Sequence, residues 1–203
     1  MSATSAPFGL RPAYFPTGLE RAQALANGIA SGFASNILKG QPIVYGQASN
    51  QTGVSTNGTI LPAVATSNTT VTGAFAGVEW TDTTGRRRVS NYWPASTTGT
   101  QIVAYFYNDL NIVYEIQTDA TIAQTSIGDT YLFSNITAGS TTTGLSAATL
   151  GVSTATANGA TTGQMRVVDI APYADNNWGM RMLLFVSNWS THNSMAIMPR
   201  LFN

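Results

Sequence analysis

The sequence predicts an all-β protein, a jelly-roll-like sandwich or barrel of short antiparallel strands with an extended N-terminal arm. From residue 37 onward, short runs rich in β-branched and aromatic residues alternate with clusters of Gly, Asn, Asp, Ser and Thr. This alternation is typical of strands and turns, and its spacing is that of a sandwich or barrel. The first 18 residues hold three prolines, which favour an extended arm over a helix or central strand.

The arm is assigned to residues 1–18, and a single β-rich domain to residues 19–203. The apolar side chains of the arm are Phe8, Leu10, Tyr14 and Phe15. Such side chains need a surface to lie on, because chain termini are loose unless they are tied down. Either the arm packs on its own domain or it docks on a neighbouring subunit, and the sequence leaves both arrangements open.

Residues 17–30 carry the helix signal of the chain. Thr17 and Glu20 have the spacing of a capping box. Apolar residues then recur at helical intervals. They are Ala22, Leu25, Ala26 and Ile29. We therefore expect a short helix or turn between the arm and the first strand.

The strands of the domain are expected to be short and to pair mostly with their neighbours in sequence. Their predicted ranges are 42–46, 59–65, 74–81, 88–93, 101–107, 112–118, 130–134, 164–170 and 180–187. Residues 82–85 should turn one hairpin and residues 108–111 a second. The run 101–107 is apolar on both faces, which suits a central strand or one covered by a partner. Residues 137–163 are rich in Thr, Ser, Ala and Gly and predict a long loop or a weak edge hairpin.

The composition favours a structural or binding protein over an enzyme. The chain has nine acidic and nine basic residues, one histidine and no cysteine. Charged residues make up 9%, against about a quarter in an ordinary domain. A formal net charge of zero gives no broad attraction to nucleic acid or to an anionic membrane. We expect no cofactor, no metal and no membrane span. A neutral surface also promotes association, so we expect partners to cover much of it.

The carboxylates do not form a recognisable catalytic pair in the sequence. They include Glu79, Asp82, Asp109, Glu115, Asp119 and Asp129. Asp82 and Asp109 fall in predicted turns, where Asp bonds the local backbone, while Glu79 and Glu115 lie on strand faces and can be solvated. His192 has no partner signature. We therefore assign no catalytic residue.

Two constellations could bind a partner. The run Arg86, Arg87 and Arg88 precedes Tyr92 and Trp93. Arginine beside aromatic residues can bind single-stranded nucleic acid, but the neutral chain offers no wider basic patch. The same guanidinium groups can bind carboxylates on a protein or simply be solvated at a hairpin end. Trp80, Tyr92 and Trp93 could stack on sugar rings or pack in a core.

Three segments resemble a family of auxiliary head proteins of tailed bacteriophages, known as cement, decoration or head-stabilising proteins. They are APFGLRP at residues 6–12, GVEWTDTTGR at 77–86 followed by SNYWP at 90–94, and IVYEIQ at 112–117 followed by Asp119. The resemblance implies a β-rich, often jelly-roll-like domain on the outer face of an icosahedral capsid, without a cofactor or a reaction. It implies a protein made in the bacterial cytoplasm and carried on the virion surface, with the major capsid protein as partner.

The expected function is therefore non-enzymatic: the protein clamps neighbouring capsid subunits against the outward pressure of packaged DNA. One arm alone should bind weakly, because ordering its backbone at about 1–2 kcal/mol per residue offsets the burial of its apolar side chains. Linked arms bind more tightly, so we expect a trimer, with a dimer as the alternative. The expected docking residues are Phe8, Leu10, Arg11, Tyr14, Phe15, Arg86, Arg87 and Arg88. The rival function is a carbohydrate-binding module of a virion fibre or surface protein.

Overall fold

A computed structural model of the chain describes residues 6–15, 21–46, 58–64, 71–109, 111–152 and 163–170. Within these ranges the fold is all-β, as predicted, with one 3-10 turn at Gln124–Ser126. The strands are β1 (Arg11–Tyr14), β2 (Gln23–Ala26), β3 (Pro42–Tyr45), β4 (Ile60–Pro62), β5 (Gly73–Thr81), β6 (Arg87–Ser90), β7 (Thr100–Tyr107), β8 (Val113–Glu115), β9 (Thr130–Tyr131), β10 (Phe133–Ser134), β11 (Gly139–Ser140), β12 (Leu145–Ser146), β13 (Thr149–Leu150) and β14 (Met165–Arg166).

A six-stranded antiparallel sheet organises the described residues, with the order β2-β7-β5-β3-β4 and β6 beside β5. β5 is its longest strand. One edge of β5 pairs along β7. The other edge pairs with β3 near Gly73 and with β6 from Val78 to Thr81. β5 therefore runs from the part of the sheet that contains β3 to the part that contains β6. Sites near its first and last residues are positioned by the same strand.

Two apolar clusters lie on opposite faces of this sheet, because successive side chains of a strand point in opposite directions. In β3, Ile43 belongs to the smaller cluster and Val44 to the larger. In β4, Ile60 and Leu61 divide in the same way. The smaller cluster is centred on aromatic residues of β5 and β7 and on Trp93. Both faces of β3 and β4 are thus buried, which gives the sandwich-like layering.

The larger cluster is closed by short strand pairs that form a second layer. These pairs are β1 with β8, β9 with β14 and β10 with β13. They contribute Tyr114, Tyr131, Phe133, Leu150 and Met165 to the buried residues. Ala74 and Tyr107 face this cluster from the sheet, so the second layer covers the end of the sheet where β5 begins and β7 ends.

Most of the predicted strands are confirmed. β3 to β10 and β14 each lie within or across a predicted range. The hairpin around residues 82–85 is formed by β5 and β6. The run 101–107 is a central strand, β7, between β2 and β5. The predicted strand 180–187 lies outside the described residues.

Residues 17–30 predicted a short helix or turn, and the helix is wrong for the described part of this range. Residues 23–26 form β2, which pairs with β7 from Phe106 to Val103. The edge of β7 satisfies the backbone groups that a helix would have bonded internally. Asn27 then turns the chain with a positive φ of 53°. An added Cβ at Gly28 would come within 2.7 Å of the Ala104 side chain, so the chain passes close to β7.

The predicted hairpin between residues 101–107 and 112–118 is also wrong. Both edges of β7 are already occupied, by β2 and β5. β8 therefore leaves the large sheet and pairs with β1 of the N-terminal arm. In the Thr-rich segment, β11 and β12 form the hairpin that was one of its two predicted forms, and β13 pairs with β10. None of the described segments forms a helix with the length and apolarity of a membrane span.

Candidate docking surface

Leu10 anchors the described part of the arm to its own domain. Its backbone N–H donates to the carbonyl of Gly40 at 2.7 Å, and its side chain is 2% exposed within the larger cluster. Gly9 and Gly40 both have left-handed backbones, with φ of 72° and 79°, where a side chain would be strained. Of the two arrangements predicted for the arm, residues 8–15 adopt the one on their own domain. Burial leaves the Leu10 side chain no surface for a partner.

The other arm residues divide by exposure. Arg11 forms an ion pair with the buried Glu115, and its guanidinium lies 4.9 Å from the centre of the Phe8 ring. Phe15 packs against the larger cluster. Tyr14 is 60% exposed. Tyr14 is therefore the large arm side chain most available for docking, and Phe8 and Arg11 are partly available beside it.

The hairpin between β5 and β6 is shaped by Asp82. One carboxylate oxygen of Asp82 accepts from the Thr84 N–H at 2.9 Å, from the Thr84 hydroxyl at 2.6 Å and from the Arg86 N–H at 3.0 Å. The other accepts from Arg88 Nε at 2.8 Å. These bonds, from Thr84 first and Arg88 second, hold the pKa of Asp82 well below its usual range. Gly85 completes the turn with a φ of 80°. The interpretation of Asp82 as a turn residue is confirmed.

Arg87 belongs to a polar network across three strands. It pairs with Glu79 at 2.6 Å, and its guanidinium also donates to the Gln101 carbonyl at 3.0 Å. The Tyr105 hydroxyl donates to the same Glu79 carboxylate at 2.9 Å. The Arg87 bond and then the Tyr105 bond lower the pKa of Glu79, and the carboxylate in turn raises the pKa of Tyr105. Arg87 is thus held flat on the sheet.

The three arginines are therefore not equivalent. Arg87 and Arg88 each form an ion pair with a carboxylate of their own hairpin. Arg86 is exposed, and its side chain takes part in no ion pair among the described residues. Val89 of β6 is 78% exposed and adds an apolar side chain to the surface of this hairpin. Arg86 and Val89 are the side chains that this hairpin offers most freely to a partner.

The arm and the arginine hairpin lie at opposite ends of β5. The arm is joined to the first part of the strand, since Gly40 accepts from Leu10 and donates to the Phe75 carbonyl at 2.8 Å. The hairpin begins at Asp82, after the last residue of the strand. At about 3.3 Å per strand residue, roughly 20 Å separates Phe75, where the arm is joined, from Asp82. The predicted docking residues thus form two sites near opposite ends of β5 and not a single patch.

The tryptophans proposed for sugar stacking are core residues. Trp93 is completely buried and Trp80 nearly so. Their rings meet edge to face, with centroids 5.5 Å apart and planes at 70°. Tyr92 is half-buried. Of the two interpretations given for Trp80 and Trp93, stacking on sugars or packing in the core, the structure therefore shows packing in the core.

The remaining carboxylates mostly serve the backbone. Asp109 accepts from the Asn111 N–H at 2.9 Å, as its turn position predicted. Asp119 accepts from the Val152 N–H at 2.7 Å. Glu115 is 7% exposed, so the expectation that it is solvated is wrong: pairing with the arm buries it. Within the described ranges, no three acidic or histidine side chains group to hold a metal ion. His192 lies outside those ranges.

Sequence reasoning missed the neighbourhood of Lys39, the single lysine of the chain. Lys39 lies between the arm and the β11–β12 hairpin, where its N–H donates to Gly144 and its carbonyl accepts from Ser146, both at 2.9 Å. With Phe8, Arg11 and Leu145 it borders a pocket of about 450 Å³. In the sequence, the signal available for this pocket was the single lysine, Lys39, followed directly by Gly40. No protein-family model, curated protein or solved structure matches the chain.

Proposed function

We propose that the protein is a non-enzymatic cement protein of a tailed-phage head. It binds the outer surface of the capsid, bridges neighbouring major capsid subunits and stabilises the shell against the pressure of packaged DNA. The proposal rests on the likeness of residues 6–12, 77–94 and 112–117 to that family and on the physical character of the described surface.

The observation that favours bridging most is the separation of the two exposed sites. The arm that carries Tyr14 is joined to β5 near Phe75, and the hairpin that carries Arg86 begins at Asp82, roughly 20 Å farther along the strand. Backbone hydrogen bonds tie the arm to β5 through Gly40, and β5 is itself paired along both edges. A protein that must touch two neighbouring subunits needs two separate contacts at a fixed distance, and this arrangement provides them.

Each site is small, which supports action as an oligomer. An exposed charge–charge contact contributes about 0.2–1 kcal/mol, and one partly exposed tyrosine adds little more. Joining three copies makes the second and third contacts intramolecular and raises affinity by about 10²–10⁴. We therefore propose a trimer, with a dimer as the alternative arrangement.

The carbohydrate-binding alternative is less favoured by the described residues. Of its three aromatic side chains, Trp80 and Trp93 are buried against each other. Of these three, the half-buried Tyr92 alone leaves part of its ring open to a sugar. We therefore keep the capsid as the proposed partner.

The test is reconstitution on purified phage heads that lack the protein. Wild-type protein should co-sediment with heads and raise the temperature at which they release DNA. We expect Tyr14→Ser and Arg86→Glu each to weaken binding about fivefold, and together to abolish protection. Arg21→Glu, an exposed arginine on neither site, is the matched control. Wild-type protein that leaves the heads unbound or no more heat-resistant contradicts the proposal, as does a location only at the tail tip.

A further inference from the structure

An open pocket lies where the N-terminal arm meets the domain. Its volume is about 450 Å³, within the range of about 300–1,000 Å³ typical of binding sites. Its lining residues include Phe8, Tyr107 and Leu145, which are apolar or aromatic, and the cationic Arg11 and Lys39. The mixture of an apolar lining and two cations distinguishes it from an ordinary packing gap.

The pocket is held in shape by backbone hydrogen bonds between four chain segments. Gly40 accepts from Leu10 at 2.7 Å and donates to Phe75 at 2.8 Å. Lys39 is bonded on both sides to residues 144 and 146 of the β11–β12 hairpin. Because the arm, the loop before β3, β5 and this hairpin are tied together, a ligand would not have to order the walls.

The two cationic side chains of the pocket, Arg11 and Lys39, differ in their ion pairing. Arg11 is paired with Glu115 and lies over the Phe8 ring. Lys39 is exposed and takes part in no ion pair among the residues that the structure describes. Within the described part of the chain, the pocket therefore has about one positive charge without a counterion. Beside it, the 43% exposed side chain of Leu145 offers an apolar contact.

We propose that this pocket binds a polypeptide segment in which a carboxylate lies next to a large apolar side chain. The apolar side chain rests on Phe8, Tyr107 and Leu145, and the carboxylate bonds to Lys39, with Arg11 at its edge. Charge complementarity selects Asp or Glu. The exposed Tyr14 lies farther along β1, where an extended polypeptide can reach it. This inference rests on the proposed function in one respect: the segment would come from a capsid subunit.

The pocket can be tested without a capsid. The probes are blocked five-residue peptides with the sequences Gly-Leu-Glu-Phe-Gly and Gly-Leu-Gln-Phe-Gly, and a second pair with Asp and Asn at the centre. Binding to the full-length protein is followed by NMR titration up to millimolar peptide. Acidic peptides should bind saturably, and about fivefold more tightly than their amide twins. Lys39→Gln should abolish this preference and leave the amide peptides unchanged, and Leu145→Ser should weaken all four.

The control is Arg86→Gln, which removes an exposed positive charge at the other end of β5. It should bind the acidic peptides like the wild type. Lys39 and Leu145 are both exposed, so equal melting temperatures will show that their variants are folded. The proposal is overturned if no acidic peptide binds saturably, if the amide peptides bind equally, or if Arg86→Gln acts like Lys39→Gln.

Failure of the pocket and failure of the cement function give different results. If binding to heads depends on Tyr14 and Arg86 but no acidic peptide binds, the cement function is supported and the proposed pocket is refuted. If acidic peptides bind through Lys39 but the protein does not bind heads, the proposed pocket is supported and the cement function is refuted. Weaker binding of Lys39→Gln to both peptides and heads supports the two together.

Discussion

Replacing Leu10 by alanine should destabilise the isolated protein, because the structure makes this arm residue part of the core. Leu10 is 2% exposed among residues of the larger cluster. Its backbone is fixed by the bond to Gly40, so the site cannot readily collapse around a smaller side chain. A buried Leu-to-Ala change costs about 2–5 kcal/mol, and we expect about 3 kcal/mol here.

The assay is thermal and urea unfolding of purified protein with no capsid present. For a chain of this size, 3 kcal/mol should lower the melting temperature by about 6–12 °C. Tyr14→Ala is the matched control from the same arm. Tyr14 is 60% exposed, so its removal should change stability by no more than about 0.5 kcal/mol. Tyr14→Ala should instead weaken binding to heads.

The result that refutes this reasoning is a Leu10→Ala protein that melts with the wild type. The arm would then be detached in solution, and docking on a neighbouring subunit would become its better explanation. Deleting residues 1–16 is a poorer experiment than these point variants. The deletion removes β1 and Leu10 together with Tyr14, so it confounds loss of folding with loss of docking.

Two further predictions concern pH and the backbone. Burial first, and then the charge of Asp109, raises the pKa of Tyr114. The contribution of the Tyr114 hydroxyl to the free energy of unfolding is therefore complete below pH 10, and it is lost as the pH rises above the unfolded pKa of about 10. Tyr114→Phe should cost about 1 kcal/mol at pH 7 but flatten the loss of stability above pH 10 in urea titrations; equal slopes would contradict this. Gly40→Ala should cost about 1–2 kcal/mol, since φ is 79° there and its Cβ would lie 3.0 Å from the Phe8 carbonyl oxygen; an unchanged melting temperature would contradict it.

The strands were largely predictable because their signals are local. The hairpin of β5 and β6 follows from β-rich runs around a turn with Asp82 and Gly85, and each of those residues has the role that its type suggests. Strand partners were less predictable. β8 follows β7 closely in sequence, yet β7 is occupied on both edges and β8 pairs with the arm. That outcome depends on contacts distant in sequence, which no local pattern records.

The sequence predicted which types of residue lie at the candidate site, but it could not predict which of their side chains are exposed and free to contact a partner. Arg86 and Tyr14, two of the predicted docking residues, are exposed, and their docking role stays a prediction. Whether a guanidinium is free depends on strand register. Arg87 lies opposite Thr81, within reach of Glu79 on the same strand. Leu10 and Phe15 looked alike to Tyr14 in sequence, but they face the core. The jelly-roll assignment and the arm boundary at residue 18 stay predictions.

The low charge of the chain gives the proposed adhesion a particular dependence on salt. Two of the three hairpin arginines are neutralised within the hairpin, by Glu79 and Asp82. These pairs fix the shape of the tip and leave Arg86 to interact outward. At physiological ionic strength, charges more than about 8 Å apart are screened, so Arg86 and Lys39 can act only on groups that they touch. Salt should therefore weaken docking modestly, while the apolar contacts of Tyr14 and Leu145 persist, because burial of apolar surface does not rely on charge. A cement protein that lost its hold entirely at moderate salt would need a larger charged surface than the described residues provide.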